Sequence, residues 1–318
     1  MKNNILECRW IGKRFAEQVS NESSPIRGEL VGVFDSAANI KTHDNHLLVI
    51  TKNAVRSPIT MNILQEGNNQ SFRKYLKFGS VIWGDAIKLI IEDEDGRFIV
   101  IGLRKSKIFK NNLEPLTKRS LSKFRDKPEP IFYSLMKLAR PGCLLQPDTT
   151  TEGLLSGQLG SMASIGNKID NDSEFSAFMA GILNKLCGRG PGYTPAGDDY
   201  ITGFLAMFNW AAKCLDFDII KLPRYYAELT SWTSYKLMEC GMECLCDEEM
   251  QSIINSVARG SANEYFKNMG TLSHRGHTSG LDLVTGMTCA LYTILDRRLG
   301  TNSLQKLDFF LKKNKATK

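Results

Sequence analysis

The sequence predicts an α+β protein, with a β-rich amino-terminal domain (a small antiparallel sheet or barrel) followed by a mainly helical carboxy-terminal domain. Three observations lead there. Short β-branched and aromatic runs fill roughly the first hundred residues, apolar stripes at helical spacing fill most of the remainder, and a polar, basic stretch separates the two.

Taken in order, strands are expected at 29–34, 46–51, 80–83, 87–91 and 98–101, each bounded by turn-forming residues. Asp44-Asn45 and the 93–96 stretch ending in Gly96 read as hairpin turns. Beyond them, residues 104–127 collect Arg104, Lys105, Lys107, Lys110, Lys118, Arg119, Lys123, Arg125 and Lys127, and the apolar alternation stops. The domain boundary is therefore expected between about 104 and 135 and is set at 125/126, giving a β domain over 1–125 and a helical domain over 126–318. Ile131, Leu135 and Leu138 follow Pro128 and Pro130 at helical spacing, and Pro141-Gly142 ends that helix. Phe175, Phe178, Ile182, Leu183 and Leu186 form the stripe of a helix over 173–187, and further helices are expected near 198–215, 222–240, 247–258, 281–297 and 302–312.

Composition narrows the function classes. The chain has 318 residues, 42% hydrophobic and 24% charged, with no apolar run of membrane-spanning length. Glu7 and Arg9 interrupt what would be the apolar core of a signal peptide, so a cytoplasmic location without a membrane partner is expected. Eight cysteines spread thinly over the chain read as reduced core thiols, and Cys240, Cys244 and Cys246 lack the second pair that a tetrahedral zinc site needs. The net charge of +7 sits in the 104–127 stretch and in Lys312, Lys313, Lys315 and Lys318, without interleaved aromatics. Nucleic acid is accordingly not expected as a partner.

Chemistry concentrates in two glycine-rich turns, 188–203 and 276–286. The first contains Gly192, Thr194, Gly197, Asp199, Thr202 and Gly203, and the second contains Gly276, Thr278, Gly280, Asp282, Thr285 and Gly286 in the same order with one residue deleted. The shared pattern is Gly-x-Thr, then Gly-x-Asp-x-x-Thr-Gly. Each turn feeds a helix, whose first amides attract anions, and the glycines allow a ligand to approach the backbone. Capping and packing explain each aspartate alone but not the repeated set. Asp198, Asp199 and Asp282 oppose an anion at the same place, so the ligand is expected to be bifunctional, with Arg189 and the amides of Gly190, Gly192 and Gly197 on its anionic end and aspartates on an amide or ammonium end. A divalent cation bridging acids and anion is the alternative, and no other cofactor is implied. His277, beside Thr278 and Ser279 and three residues after His274, is a candidate acid or base. The expected catalytic set is His277, Asp199 and Asp282, and the expected binding set is Arg189, Gly190, Gly192, Thr194, Gly197, Asp198, Thr278 and Ser279, with no metal ligands assigned. The Arg140-Pro141-Gly142 segment and the polar run after it are a candidate cover, and Asn39 a candidate contributor from the β domain.

The run Gly190-Pro191-Gly192-Tyr193-Thr194-Pro195-Ala196-Gly197-Asp198-Asp199 resembles the signature of the AllH-type family of oxamate carbamoyltransferase subunits, with Tyr193 and Ala196 as departures. The 276–286 and 33–39 stretches also resemble family blocks, so the resemblance is expected to cover most of the chain. It implies a role in anaerobic allantoin or purine catabolism, interconverting oxalurate plus phosphate with oxamate plus carbamoyl phosphate. It further implies FdrA-type and AllG-type partner subunits, a carbamate kinase alongside, and small anionic substrates. The Ser-x-Arg-Thr phosphate loop of ordinary transcarbamylases is absent, which leaves the twin turns as the phosphate device. Two other readings stand beside this one: a noncatalytic regulatory or scaffolding subunit, and a metal-dependent hydrolase using Asp198, Asp199, Asp282 and His277.

Overall fold

The computed structural model describes residues 5–20, 25–64, 70–146, 153–165 and 168–315. The chain divides into two compact units, Met1–Asn112 and Leu113–Lys318.

The first unit is a closed barrel. Its strands are β1 (Ile5–Gly12), β2 (Ile26–Val33), β3 (Ala37–Thr42), β4 (Leu47–Thr51), β5 (Thr60–Leu64), β6 (Val81–Gly84), β7 (Lys88–Glu92), β8 (Phe98–Gly102) and β9 (Lys107–Phe109), with helix α1 (Lys13–Val19) following β1. Neighbours run β5-β4-β3-β2-β6-β7-β8-β1, and β1 pairs back onto β5 to complete an eight-stranded ring. Two of its pairings, β1–β8 and β4–β5, are parallel and the rest antiparallel. Strand β9 continues along the β1 edge where β8 leaves it, pairing Trp10 with Lys107. Closure removes the unpaired edges that an open sheet presents.

Both expected hairpin turns are present. Asn45 takes φ 60° between β3 and β4, and Gly96 takes φ 71° between β7 and β8. Four strands had no clear periodic signal. In β1, Glu7 and Arg9 face outward while Cys8 and Ile11 are buried, and a bulge between Cys8 and Trp10 breaks the alternation. Asn39 lies within β3, buried, opposite Val49 of β4.

The second unit holds α2 (Lys118–Ser122), α3 (Pro128–Leu138), α4 (Leu154–Ile165), α5 (Asp172–Asn184), α6 (Ala196–Leu215), α7 (Trp232–Glu243), α8 (Glu248–Arg259), α9 (Ala262–Ser273), α10 (Ser279–Leu299) and α11 (Ser303–Lys315). The division at 112/113 lies inside the expected interval of 104–135, ahead of 125/126 because Leu116, Leu121 and Phe124 are buried in the helical core. Charge alone did not reveal this, since the basic side chains of that stretch face solvent while three apolar ones anchor it. The expected helix over 222–240 is instead a 3-10 turn at Arg224–Glu228 followed by α7, which Ser231 starts by capping the Ser234 amide. Helices α2, α4 and α9 had no predicted counterpart. At the centre lie α6 and α10, buried all round from Ala196 to Ala212 and from Gly280 to Asp296. A helix buried on every face needs apolar residues on every face, and the segments 200–212 and 283–295 supply them.

None of the eight cysteines forms a disulfide. Among the described residues no helix is long and apolar enough to cross a membrane.

Candidate functional site

The two glycine-rich turns join α5 to α6 and α9 to α10, so each belongs to a helix–turn–helix of one plan. Arg189 N–H donates to the Leu186 carbonyl at 3.0 Å and Arg275 N–H to the Leu272 carbonyl at 3.0 Å. The carbonyls of these same arginines accept from Gly197 at 2.8 Å and from Gly280 at 3.0 Å. The hydroxyls of Thr202 and Thr285 turn back onto the carbonyls of Asp198 and Leu281, at 2.8 and 2.7 Å. The duplication thus extends upstream to Leu-x-x-Arg-Gly, pairing Arg189-Gly190 with Arg275-Gly276. The pairing of Gly192 with Gly276 inferred from sequence is corrected accordingly: eight positions separate Arg189 from Gly197 and five separate Arg275 from Gly280, so the difference is three residues rather than one.

The glycines set the spacing of the helices. A Cβ on Gly203 would lie 2.0 Å from the Leu283 carbonyl oxygen, and one on Gly286 would lie 2.0 Å from that of Tyr200. Since 203 corresponds to 286 and 200 to 283, each repeat packs on the other by the same contact, a local two-fold arrangement. Crossing at this point brings the acid one turn upstream of each glycine, Asp199 and Asp282, into one buried neighbourhood.

Asp199 is 7% exposed and accepts a hydrogen bond from the Thr194 hydroxyl at 3.1 Å. That hydroxyl lies 3.4 Å from the hydroxyl of Ser279, so the two turns touch. Burial pushes the Asp199 carboxyl well above the usual range; the Ser279 hydroxyl pulls against this, while the negative charge of Asp282 adds to it. Asp282 is fully buried, and its Oδ1 accepts from the Leu144 N–H at 2.9 Å. Its Oδ2 has no hydrogen-bond partner among the described residues. Burial raises this carboxyl to about 7, against the pull of the Leu144 amide, the nearby Thr278 hydroxyl and the positive charge of Arg140.

Other predicted residues take different places. Asp198 is buried and spent on scaffold, accepting from Gly188 N–H at 2.7 Å and from the Thr230 hydroxyl. Its counterpart in the second repeat is Leu281, so the shared geometry does not require an acid there. Gly197 supplies no amide to a ligand, because its N–H is taken by Arg189 and its Cα lies against the Leu186 carbonyl, 1.9 Å from where a Cβ would sit. The amides of Gly190, Gly192 and His277 have no acceptor among the described residues, and Gly190 and Gly192 hold φ of 103° and 109° that present the chain edge-on. Arg189 and His277 are exposed and make no side-chain hydrogen bond or ion pair among the described residues. Thr278 is the N-cap of α10; its hydroxyl caps no backbone amide of that helix and lies near the Asp282 carboxyl. Arg275, the structural equivalent of Arg189, is held by Asp247 and Glu249.

Sequence reasoning placed the 140–142 segment as a cover and left its contacts unassigned. In the structure, Leu144 bonds Asp282, and the Arg140 guanidinium donates to the Ser273 carbonyl. The polar run beyond position 146 lies outside the described residues. A main-chain amide leaves no mark in sequence, so Leu144 carried no signal. Among the described residues no group of three or more His, Cys, Asp or Glu side chains comes together to hold a metal ion.

No curated protein and no solved structure matches the chain. A family model does match, over residues 186–291, about a third of the chain rather than most of it; the match includes both turns, α6 and α10 as far as Leu291, and excludes the 33–39 stretch. Over that segment the chain carries the signature of the family described as oxamate carbamoyltransferase subunit AllH.

Proposed function

We propose that this chain is a subunit of a carbamoyltransferase that interconverts oxalurate plus phosphate with oxamate plus carbamoyl phosphate in allantoin or purine catabolism, working with FdrA-type and AllG-type partners. The observation that carries the reading is the convergence of Asp199 and Asp282 between two duplicated turns within the segment that matches the family.

In the synthetic direction, the amide nitrogen of oxamate attacks the carbamoyl carbon, the bond from that carbon to the phosphate oxygen breaks, and phosphate leaves with the electron pair. The nitrogen gives up one proton. Such a reaction asks for alignment of two small anions, hydrogen bonds to a polarised carbonyl, and a group that exchanges one proton near neutrality. A carboxyl raised to about 7, as at Asp282, is suited to the last task. Burial also eases the electrostatic conflict between acids and anions, because it disfavours the charged form of Asp199. The free amides of Gly190 and Gly192, with the unpaired guanidinium of Arg189, supply the positive side for phosphate.

The test is assembly of the chain with its two partners, followed by measurement of carbamoyl phosphate formed from oxalurate and phosphate. Asp282→Asn is expected to lower kcat by roughly 10²-fold or more, the range for loss of a positioned acid or base. Gly192→Ala, which puts a side chain at positive φ, is expected to raise KM for phosphate. Full activity in both variants removes the site from the reaction.

A further inference from the structure

Two buried polar atoms near the second turn lack partners. One is Asp282 Oδ2, in a side chain with no solvent exposure; the other is Arg140 Nε. An orphaned buried polar group costs on the order of 1–3 kcal/mol, more when charged, so each calls for an explanation.

Their surroundings tie them to one place. Arg140 directs its terminal nitrogen to the carbonyl of Ser273, the last residue of α9, while Asp282 lies one turn into α10, across the turn from that carbonyl. Four residues after Arg140, the Leu144 N–H closes onto the other oxygen of Asp282. A Cβ on Gly142, between them, would lie 3.9 Å from the Thr278 methyl group. The 140–146 segment therefore lies along the second turn, and the positive charge of Arg140 acts on Asp282 without a hydrogen bond between the two. A direct ion pair would have satisfied both orphans. A donor and an acceptor of opposite charge held close but unjoined suit a ligand with both complements.

The first turn makes the contrast. Asp199, the two-fold mate of Asp282, accepts a hydrogen bond from Thr194 and has the Ser279 hydroxyl beside it. Asp282 likewise has a hydroxyl near it, that of Thr278, besides the Leu144 amide, but it alone has the Arg140 charge close by and an oxygen, Oδ2, that no hydrogen bond reaches among the described residues, so the two halves of the site are not alike.

We infer that Arg140 and Asp282 form a subsite for a small acid that also bears an amide, its carboxylate on the Arg140 guanidinium and its N–H on Asp282 Oδ2. This deepens the carbamoyltransferase reading and rests on it for the identity of the ligand. It assigns the amide acid to the second turn, which leaves phosphate to the first turn and Arg189. Arg140 is then an anchoring residue for the acid substrate. Entry requires the 140–146 segment to move off the turn, breaking the Leu144 and Arg140 hydrogen bonds.

Calorimetry on the full chain, alone and with partner subunits, tests this with three probes: oxamate, oxamide (no carboxylate) and oxalate (no amide). The wild type is expected to bind oxamate about tenfold or more tighter than either other probe, the discrimination that one charge-assisted hydrogen bond supplies. Arg140→Gln is expected to bring oxamate down to the level of oxamide, and Asp282→Asn, which keeps an acceptor for Leu144, to erase the preference over oxalate. Arg140→Lys, with thermal unfolding as the folding control, separates loss of the fork from loss of structure and is expected to keep an intermediate preference. Unchanged oxamate affinity in folded Arg140→Gln, or no oxamate binding by wild type with its partners, overturns the subsite. An assembled enzyme that binds oxamate through Arg140 yet forms no carbamoyl phosphate overturns the transfer reaction and leaves the subsite standing. An active enzyme whose KM for oxamate ignores Arg140→Gln does the reverse.

Discussion

Gly203 and Gly286 hold their helices together by the same contact made twice, each with its Cα against a main-chain carbonyl of the other helix, Leu283 and Tyr200 respectively. Any side chain there meets rigid backbone at 2.0 Å, so the helices must part. Gly203→Ala and Gly286→Ala are each expected to destabilise the protein by about 3 kcal/mol, at the upper end of overpacking costs. Gly270→Ala in α9, where nothing lies within 4 Å, is expected to stabilise it by roughly 0.5–1 kcal/mol through helix propensity. Urea unfolding of the three variants checks both signs. Equal behaviour at all three positions is incompatible with the reciprocal contact.

Asp282 gives stability a pH dependence of defined sign. Its folded-state value of about 7 lies above the value near 3.8 for an unperturbed carboxyl. A raised acid is most favourable to folding when protonated in both states, below about 4, and its contribution is lost as pH rises through about 7. Asp282→Asn removes that loss while keeping an acceptor for Leu144. The variant is expected to gain on wild type between about pH 4 and 7, by a few kcal/mol on the scale of about 1.4 per pKa unit, and to hold a constant lead above. Unfolding midpoints across that range check it. Parallel curves refute the assignment.

How far sequence reaches is visible at particular residues. The turns at Asn45 and Gly96 were legible because their chemistry is local, and α6 and α10 because their apolar residues recur over several turns. Strand β1 was not, since Glu7 and Arg9 obscure the alternation and its partners β5, β8 and β9 are remote in sequence. At the site, the repeated Gly-x-Asp-x-x-Thr-Gly announced Asp199 and Asp282 together. It did not distinguish Asp198, whose acid is consumed by Gly188 and Thr230, because one strand of letters does not show which way a side chain turns. The repeat Leu-x-x-Arg-Gly was present to be read and was hidden by three extra residues in the first turn.

Asp198 is expected to act through folding rather than through ligand. Its carboxyl accepts from the Gly188 amide and the Thr230 hydroxyl while almost wholly buried. Asp198→Ala orphans both donors and is expected to cost about 2–3 kcal/mol. Asp198→Asn keeps one acceptor and is expected to cost less. Titration of active centres in folded enzyme, with KM for phosphate beside it, separates the roles: KM is expected to stay within a factor of two while the denaturation midpoint falls. A large KM change in a stable variant assigns Asp198 to the ligand.

Arg189 and Arg275 occupy equivalent places in the two repeats, and their surroundings predict opposite phenotypes. Arg275, with its side chain 28% exposed, spends its guanidinium on Asp247 and Glu249, the cap and second residue of α8, so it ties the second turn to that helix. Removing it leaves two carboxylates crowded at one helix start, and Arg275→Gln is expected to cost about 2 kcal/mol of stability, as for loss of charged hydrogen bonds. Arg189 is exposed, has no ion-pair partner among the described residues, and stands beside the open amides of Gly190 and Gly192. An exposed cation without a partner contributes little to folding, so Arg189→Gln is expected to leave the unfolding midpoint within about 0.5 kcal/mol of wild type. If it holds phosphate, the same substitution raises KM for phosphate by tenfold or more and makes that KM less sensitive to added salt, because the charge that salt screens has gone. KM for oxamate, anchored at the other turn, is expected to stay where it was. Salt-dependent KM measurements on both substrates, with the two midpoints, test the division of labour: a fall in stability for Arg189→Gln, or a rise in KM shared by both substrates, contradicts it.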